Sequence, residues 1–288
     1  MGVLMKFGIN TLLYAGTFTD SHVKELFGKF REIGFDGVEI SLEKKGDIDY
    51  KKTLSELKKY ELKCSSLCGL FGLDRDLRSE NKEYVENSLS YLRDLTEAAV
   101  ELETNLITGP MYSAVGRANL ESDEAKKIQW NAVVENLGKA AKYAEKFGVD
   151  LAIEPLNRFE TDFINICKDA IKLIKDIGAK NLKIHLDSFH MNVEEKNSEL
   201  AILDAGELLY MFHASENDRG APGTGQVPWK PIADALRKIN YDKWIVIESF
   251  TPENKVIAKA ASIWRQTEPS AMALASKGLK FLKGLFDK

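Results

Sequence analysis

The sequence predicts a closed barrel of eight parallel strands with a helix after each strand, a (β/α)8 barrel, and three observations support this fold class. Short apolar runs alternate with longer amphipathic runs along the whole chain of 288 residues. Eight such units match the size of this barrel. The first apolar run is not followed by the glycine-rich turn that an open doubly wound sheet usually shows. We therefore expect one barrel domain over residues 1–288, with the open sheet as the competing architecture.

Eight short runs have the length and composition of buried strands. Most are rich in Val, Ile, Leu or Phe, and turn or helical patterns bound each of them. In chain order the runs are 6–10, 37–41, 63–67, 105–109, 150–154, 182–187, 209–214 and 244–249. Because strands and helices alternate throughout, the strands should pair in parallel.

The segments between these runs show helical spacing of apolar residues. In the segment 21–35, one stripe carries Val23, Leu26, Phe27, Phe30 and Ile33. Helices often end at a glycine, and Gly34 closes this pattern. Similar patterns over 84–102, 130–148 and 270–286 predict three further helices.

Composition excludes several classes of protein. The formal net charge is −4, which argues against nucleic-acid or acidic-membrane partners. The chain has no apolar run of 18 residues, so we expect no membrane span. The stretch 1–10 lacks the apolar core of a secretory signal, and Met5 offers an alternative start after an overhang of residues 1–4.

Cysteine usage indicates a reducing compartment. The three cysteines are Cys64, Cys68 and Cys167, an odd and sparse set that does not form a disulfide framework. No histidine lies close enough in the chain to complete a zinc site with them. We therefore expect reduced, structural thiols and a cytoplasmic protein.

Four consecutive predicted strands each end in an ionisable residue: Glu154, Asp187, His213 and Glu248. Each has an ordinary explanation by itself, such as a solvated strand end, a helix cap at Asp187 or a hydrogen-bonded core histidine. Parallel strands open on one face of a barrel, however, and three carboxylates crowded there would repel one another unless a cation held them. Three carboxylates and one imidazole suit Mn²⁺, Mg²⁺ or Co²⁺, so we expect one divalent metal ion.

A second set of polar residues lies in the loops just after these strands. They are Arg158, Glu160, His190, Glu216 and Arg219. Exposed loop charges and salt bridges are the ordinary explanation for such residues, and Arg158 and Glu216 fit it.

Other side chains are expected to shape the site or the core. The loop 220–229 holds three glycines and two prolines, and we expect it to be rigid. The residues that we expect to complete the pocket are Tyr14, Cys68, Leu70, Tyr112, Trp229 and Phe250. Trp130 and Trp244 should belong to the core. His185 should point into the barrel below the metal as a core residue or a neighbour of the ligands.

Several motifs resemble one enzyme family. The stretches "IEPLNRFE", "LDSFHMNVEE", "HASENDRGAPGTGQVPW" and "IESF" are similar to the ketose 3-epimerases, the D-tagatose and D-psicose (allulose) 3-epimerase family of the xylose isomerase-like TIM barrels. The likeness includes "GFDGVEI" and "GPMYSAVG", so it extends along nearly the whole chain. "LDSFHMNVEE" together with "NRFE" is specific, whereas many related barrels share the four strand-end residues.

The resemblance implies an isomerase that inverts C3 of a free ketose such as D-tagatose, D-psicose, D-fructose or L-ribulose. It implies that the four strand-end residues ligate one divalent ion, commonly Mn²⁺ or Co²⁺, and that Glu154 and Glu248 transfer the protons. It also implies that Glu160, His190 and Arg219 hold the O1–O2 end of the sugar. Family members are typically homodimers or homotetramers.

Other functions share parts of this pattern. An aldose–ketose isomerase or an inosose-type dehydratase would use the same barrel and the same four residues. An apurinic endonuclease would need more histidines than the four in this chain and a basic surface. A barrel that binds a sugar without catalytic activity would have the same pocket residues. The stretches 10–16 and 109–117 lack an aromatic pattern found in some D-psicose epimerases, so the preferred ketose stays open.

Overall fold

Eight parallel strands close into a barrel in this computed structural model, which describes residues 5–286. The order around the barrel is the order in the chain, from β1 to β8, and the last strand pairs with the first. The predicted (β/α)8 barrel is confirmed. The strands are β1 Lys6–Asn10, β2 Gly37–Ser41, β3 Lys63–Cys68, β4 Leu106–Gly109, β5 Asp150–Ile153, β6 Leu182–Asp187, β7 Leu209–Ala214 and β8 Trp244–Ile247. The predicted overhang, residues 1–4, lies outside the described residues.

Helices form the outer layer. Within residues 5–286 they are α1 Asp20–Ile33, α2 Tyr50–Lys59, α3 Lys82–Glu101, α4 Asp123–Glu145, α5 Cys167–Ile177, α6 Ser188–Glu194, α7 Ser198–Ala205, α8 Trp229–Lys238, α9 Lys255–Ala260 and α10 Ala271–Phe286. Two 3₁₀ turns, Thr11–Leu13 and Gly206–Leu208, complete the regular structure. None of the helices in this part of the chain is both long enough and apolar enough to cross a membrane.

The main core lies between the strands and the helices. The stripe predicted on α1 is buried there at Val23, Leu26, Phe27 and Phe30, and α1 ends at Gly34 with a left-handed φ of 102°. Such burial of apolar side chains supplies most of the favourable free energy of folding.

The two tryptophans assigned to the core differ in burial. Trp244 is buried at the start of β8. Trp130 is partly buried against the main core, and its indole Nε1 donates to Asp176 at 2.9 Å.

The barrel interior is layered by depth, because alternate residues of each strand point inward. An apolar cluster fills the end where the strands begin; it consists of Leu106, Ala152, Met211, Trp244 and Val246. Two residues further along, the inward positions become polar. The next inward residues of β7 and β8 are His213 and Glu248, at the open end of the barrel.

Two glycines allow β3 and β4 to end in close contact. Gly109 adopts a φ of 123°, and a β-carbon there would overlap the carbonyl oxygen of Gly69. The carbonyl oxygen of Gly109 accepts the backbone N–H of Glu154 at 3.2 Å, so this crossing also positions a strand-end residue of the site.

Gly109→Ala should therefore lower the free energy of unfolding by more than about 2 kcal/mol, from steric overlap added to an unfavourable φ. Gly148 is a matched control because its φ is 68° and nothing lies within 4 Å of an added β-carbon. Gly148→Ala should cost about 1 kcal/mol. Urea denaturation measures both; equal losses would mean that the overlap with Gly69 is not what requires glycine.

Candidate active site

The four strand-end residues meet at the open end of the barrel. One ligand-type atom from each of Glu154, Asp187, His213 and Glu248 lies within 4.8 Å of the others, and all four side chains are buried. Glu154 and Glu248 follow the last residues of β5 and β8, whereas Asp187 and His213 lie within β6 and β7. We call these residues the quartet.

Arg219 lies against the quartet and balances part of its charge. Its Nη1 donates to Asp187 Oδ2 at 2.5 Å and to Glu248 Oε2 at 2.9 Å. The guanidinium also lies 4.0 Å from the ring centroid of Phe189 and 4.9 Å from that of Phe250, a cation–π arrangement. Its backbone φ of 60° is uncommon for a residue with a β-carbon. This conformation is consistent with a residue held in place by its surroundings.

Burial and neighbouring charges shift the pKa values of the two glutamates in opposite directions. Burial, reinforced by repulsion from Glu248, raises the pKa of Glu154 well above its usual value. Burial would also raise the pKa of Glu248, but attraction by the neighbouring His213 and Arg219 outweighs it and lowers the pKa to about 2. The pKa of Asp187 rises to about 6, because burial exceeds the attraction of Arg219. The two glutamates therefore differ in their electrostatic surroundings.

The residues present fit a divalent cation. Among residues 5–286, Glu154 Oε1 and His213 Nδ1 are buried and have no hydrogen-bond partner. Unpaired buried polar atoms are costly, so two such atoms beside two further carboxylates indicate a place for a ligand. Carboxylate oxygens with one imidazole nitrogen suit Mn²⁺, Co²⁺ or Mg²⁺.

Asp187 serves two purposes. Its Oδ1 accepts the backbone N–H of Phe189 at 2.7 Å and caps the start of α6. Its Oδ2 faces Arg219 within the quartet. The helix cap and the ligand position, weighed as alternatives from the sequence, are therefore compatible because the carboxylate has two oxygens.

His190 and Glu160, two of the predicted substrate contacts, are joined by Asn157. The backbone N–H of Asn157 donates to His190 Nδ1 at 3.1 Å, and its side-chain Nδ2 donates to Glu160 Oε1 at 2.7 Å. The other ring nitrogen, Nε2, lies 3.2 Å from Arg219 Nη2 and 3.7 Å from Glu154 Oε1. His190 therefore presents Nε2 to Arg219 and to the quartet.

The remaining predicted pocket residues occupy different surroundings. Cys68 and Phe250 belong to one small apolar cluster near the mouth, with Leu70 packed against it. Tyr112 is buried, and its hydroxyl donates to the carbonyl oxygens of Glu154 and Ile164 at 3.0 and 3.1 Å.

Two residues assigned to the pocket lie closer to the helix layer. Tyr14 packs against Phe30, and its hydroxyl lies 3.0 Å from Met272 Sδ. Trp229 begins α8 and packs against Phe281.

The three cysteines are buried and unpaired, as the composition predicts. Burial raises the pKa of each thiol, to about 12 at Cys167. Such thiols are poor nucleophiles.

The prediction that Glu216 is an exposed loop charge is wrong. Glu216 is fully buried and accepts hydrogen bonds from Trp229 Nε1 at 2.6 Å and from the backbone N–H of Gly223 at 2.8 Å. It therefore holds the loop 220–229 in place from within. Arg158 is exposed, as predicted, and its guanidinium pairs with Glu194.

Sequence reasoning missed two buried polar residues below the quartet, Glu39 and Asn10. Glu39 Oε2 lies 2.6 Å from His213 Nε2, and Asn10 Nδ2 lies 2.7 Å from Glu39 Oε2 and 3.2 Å from Glu248 Oε1. A lone charged residue in the otherwise uncharged run 37–41 was the available signal for Glu39.

His185, predicted to be a core residue or a neighbour of the ligands, is fully buried beside the quartet. Its Nδ1 lies 3.6 Å from Glu154 Oε2, and its ring packs edge-on against that of His213 at 3.9 Å. Burial lowers its pKa well below the usual value, so it is neutral.

Comparison with known protein families identifies the chain. A sequence model described as "Xylose isomerase-like TIM barrel" matches residues 27–283. The D-psicose 3-epimerase of Enterocloster bolteae is 33% identical over 98% of this chain and 96% of its own length. The chain belongs to the ketose 3-epimerases of the xylose isomerase-like TIM barrel family. The resemblance seen in the motifs is thus confirmed, and with it the prediction of an epimerase in the isomerase class.

Solved structures of ketose 3-epimerases have the same architecture. The structure of an L-ribulose 3-epimerase superposes with a TM-score of 0.93 at 28% identity, covering 99% of this chain and 95% of that chain. A D-allulose 3-epimerase from Methylomonas sp., solved in complex with D-allulose, has a TM-score of 0.91 at 27% identity and covers 99% of both chains.

Replacing Glu216 should release the loop 220–229. Glu216→Ala leaves buried N–H donors without an acceptor, so we expect the free energy of unfolding to fall by about 2–4 kcal/mol. Limited proteolysis should then cut first within 220–229. Glu135 is exposed and pairs with Lys139 across one helical turn, so Glu135→Ala should change stability by less than about 0.5 kcal/mol. Equal effects of the two variants would contradict a role of Glu216 in holding the loop.

Proposed function

We propose that this protein is a metal-dependent ketose 3-epimerase that inverts C3 of a free ketose of the D-psicose, D-fructose, D-tagatose or L-ribulose type. The observation that carries the proposal is the buried quartet, in which two glutamates reach one centre from different strands. Family relatives named D-psicose 3-epimerase and L-ribulose 3-epimerase support the substrate class.

The quartet would hold one divalent ion through Glu154, Asp187, His213 and Glu248. When bound, the ion supplies positive charge that polarises the C2 carbonyl and stabilises an enediolate. Mn²⁺ or Co²⁺ is the preferred choice and Mg²⁺ the third, on the chemistry of the donor set.

Glu154 and Glu248 are the proposed acid and base. The C3 proton is acidic because it lies next to the C2 carbonyl. One carboxylate removes this proton from one face of C3, and the other carboxyl returns a proton to the opposite face, which inverts the centre. The two residues follow β5 and β8, which lie three strands apart around the barrel.

The neighbouring residues would hold the sugar. Arg219 can donate to sugar oxygens, His190 Nε2 can hydrogen-bond to a sugar hydroxyl, and Glu160 can accept from a hydroxyl group; together they would bind the O1–O2 end. Burial raises the pKa of Glu160.

Cys68, Tyr112 and Phe250 are the proposed contacts to the rest of the substrate. Cys68 and Phe250 offer an apolar wall, whereas the Tyr112 hydroxyl is already engaged with backbone carbonyls and would contribute its ring.

Three further properties remain predictions from the sequence and from the family resemblance. They are a single domain over 1–288, assembly as a homodimer or homotetramer, and a cytoplasmic location.

A screen of free ketoses tests the reaction. The protein with Mn²⁺ is incubated with D-fructose, D-tagatose and L-ribulose, and the products are identified by chromatography and NMR. We expect C3 epimers without aldose or dehydrated product. An aldose would indicate an aldose–ketose isomerase and a dehydrated product a dehydratase, and either would overturn the proposal.

Exchange of the C3 proton with solvent tests the two-carboxylate mechanism. Glu154→Gln and Glu248→Gln should each lower the epimerisation rate by at least about 100-fold, as loss of a general acid or base does. In D₂O, each variant should exchange the C3 proton of only one epimer, the one that faces the remaining carboxylate. Metal content is measured in parallel, and Glu135→Gln is the surface control. Full epimerisation by either variant would show that two carboxylates are not required.

A further inference from the structure

Glu39 is a buried charged residue that the proposed reaction does not use. It points into the barrel from the middle of β2, a strand whose five residues are all buried, and its exposed fraction is 0%. An ionised carboxylate at this depth is costly unless its oxygens are hydrogen-bonded.

Four donors from four other strands meet the two oxygens of Glu39. Oε1 accepts from Ser66 Oγ at 2.8 Å and from Thr108 Oγ1 at 2.6 Å. Oε2 accepts from Asn10 Nδ2 at 2.7 Å and lies 2.6 Å from His213 Nε2. The carboxylate has no proton to donate, so every one of these contacts requires the partner to be the donor.

This requirement determines which ring nitrogen of His213 faces Glu39 with a proton. Nε2 must carry a proton, and the other ring nitrogen, Nδ1, faces the quartet at 3.6 Å from Glu248 Oε1. Nδ1 has no hydrogen-bond partner within the described part of the chain. The nitrogen that binds a metal is set by the hydrogen bond that the other nitrogen makes.

Asn10 connects Glu39 to a second member of the quartet, Glu248. Its Nδ2 group donates to Glu39 Oε2 at 2.7 Å and to Glu248 Oε1 at 3.2 Å. Its Oδ1 accepts from the backbone N–H of Leu12 at 2.8 Å, which fixes which end of the amide is the donor.

We propose that Glu39 is a positioning residue, which holds the proton on His213 Nε2 so that Nδ1 is the metal ligand and, through Asn10, orients Glu248. The inference rests on the metal site of the proposed function and adds a residue outside that site. Glutamine at this position removes the negative charge beside His213 and leaves a single acceptor oxygen. Its amide nitrogen could face the Ser66 and Thr108 hydroxyls, which can also accept, or it could face His213. If the amide faced His213, it would favour the imidazole with its proton on Nδ1, where the ligand lone pair is needed.

Metal titration tests this proposal without measuring activity. Isothermal titration of Co²⁺ into the wild type, Glu39→Gln and Ser66→Ala measures the dissociation constant. We expect Glu39→Gln to weaken binding 10- to 100-fold, because the ligand His213 loses its negatively charged partner. Ser66→Ala removes a donor from the other oxygen and leaves the contact with His213 in place, so it should change the dissociation constant less than threefold. Equal effects of the two variants would overturn the proposal.

The protonation of His213 can be observed in the wild type, so the test does not depend on the folding of a variant. Long-range ¹H–¹⁵N NMR of ¹⁵N-histidine-labelled protein distinguishes the two ring nitrogens, and Zn²⁺ serves as a diamagnetic probe. We expect the His213 Nε2 proton to persist and the Nδ1 resonance to shift when Zn²⁺ is added. A shift of Nε2 instead would overturn the assignment.

The two proposals fail in different ways. If neither Co²⁺ nor Zn²⁺ binds the wild type, the metal site of the proposed function is wrong and the role of Glu39 is wrong with it. If metal binds the wild type and Glu39→Gln with equal affinity, the role of Glu39 is wrong and the metal site stands.

Discussion

The burial of three carboxylates in one barrel mouth is the constraint on which the rest of the site depends. Glu154, Asp187 and Glu248 are each less than a tenth exposed, and charges this close repel strongly where water is excluded. Arg219 balances Asp187 and Glu248, but Glu154 Oε1 keeps no partner among residues 5–286. A cation in the quartet would complete this balance, as the proposed function requires, and it would act at the position where a ketose carbonyl develops negative charge.

The layers of the barrel interior make this arrangement possible. Parallel strands alternate inward and outward residues, so one strand contributes Met211 to the apolar end and His213 to the quartet. Between these layers, Glu39 is tolerated because both of its oxygens are hydrogen-bonded. Outside the barrel, Glu216 shows the same principle, since its buried carboxylate is matched by N–H donors of the loop that it holds.

Much of the fold could be predicted from the sequence because apolar residues recur with different spacing in strands and in helices. β1, β2, β6 and β7 have the bounds that their apolar runs indicate. The runs 150–154 and 244–249 extend beyond β5 and β8, which end at Ile153 and Ile247, although the N–H groups of Glu154 and Glu248 still donate to the neighbouring strands. The short helices α6, α7 and α9 were not predicted. They are held by local caps such as Asn197 at α7, which leave little periodic signal in the chain.

The sequence by itself determined which residue types stand at the strand ends. This was sufficient to predict the quartet, because parallel strands in a barrel all end on one face. Only the tertiary structure decided which side chains contact these strand-end residues. Glu39 and His213 are 174 residues apart, and Asn157 and His190 are 33 apart. Such contacts depend on strand register and on the depth of each inward residue. Neither quantity leaves a local pattern, so the sequence alone could not show that a carboxylate on β2 determines the protonation of a histidine on β7.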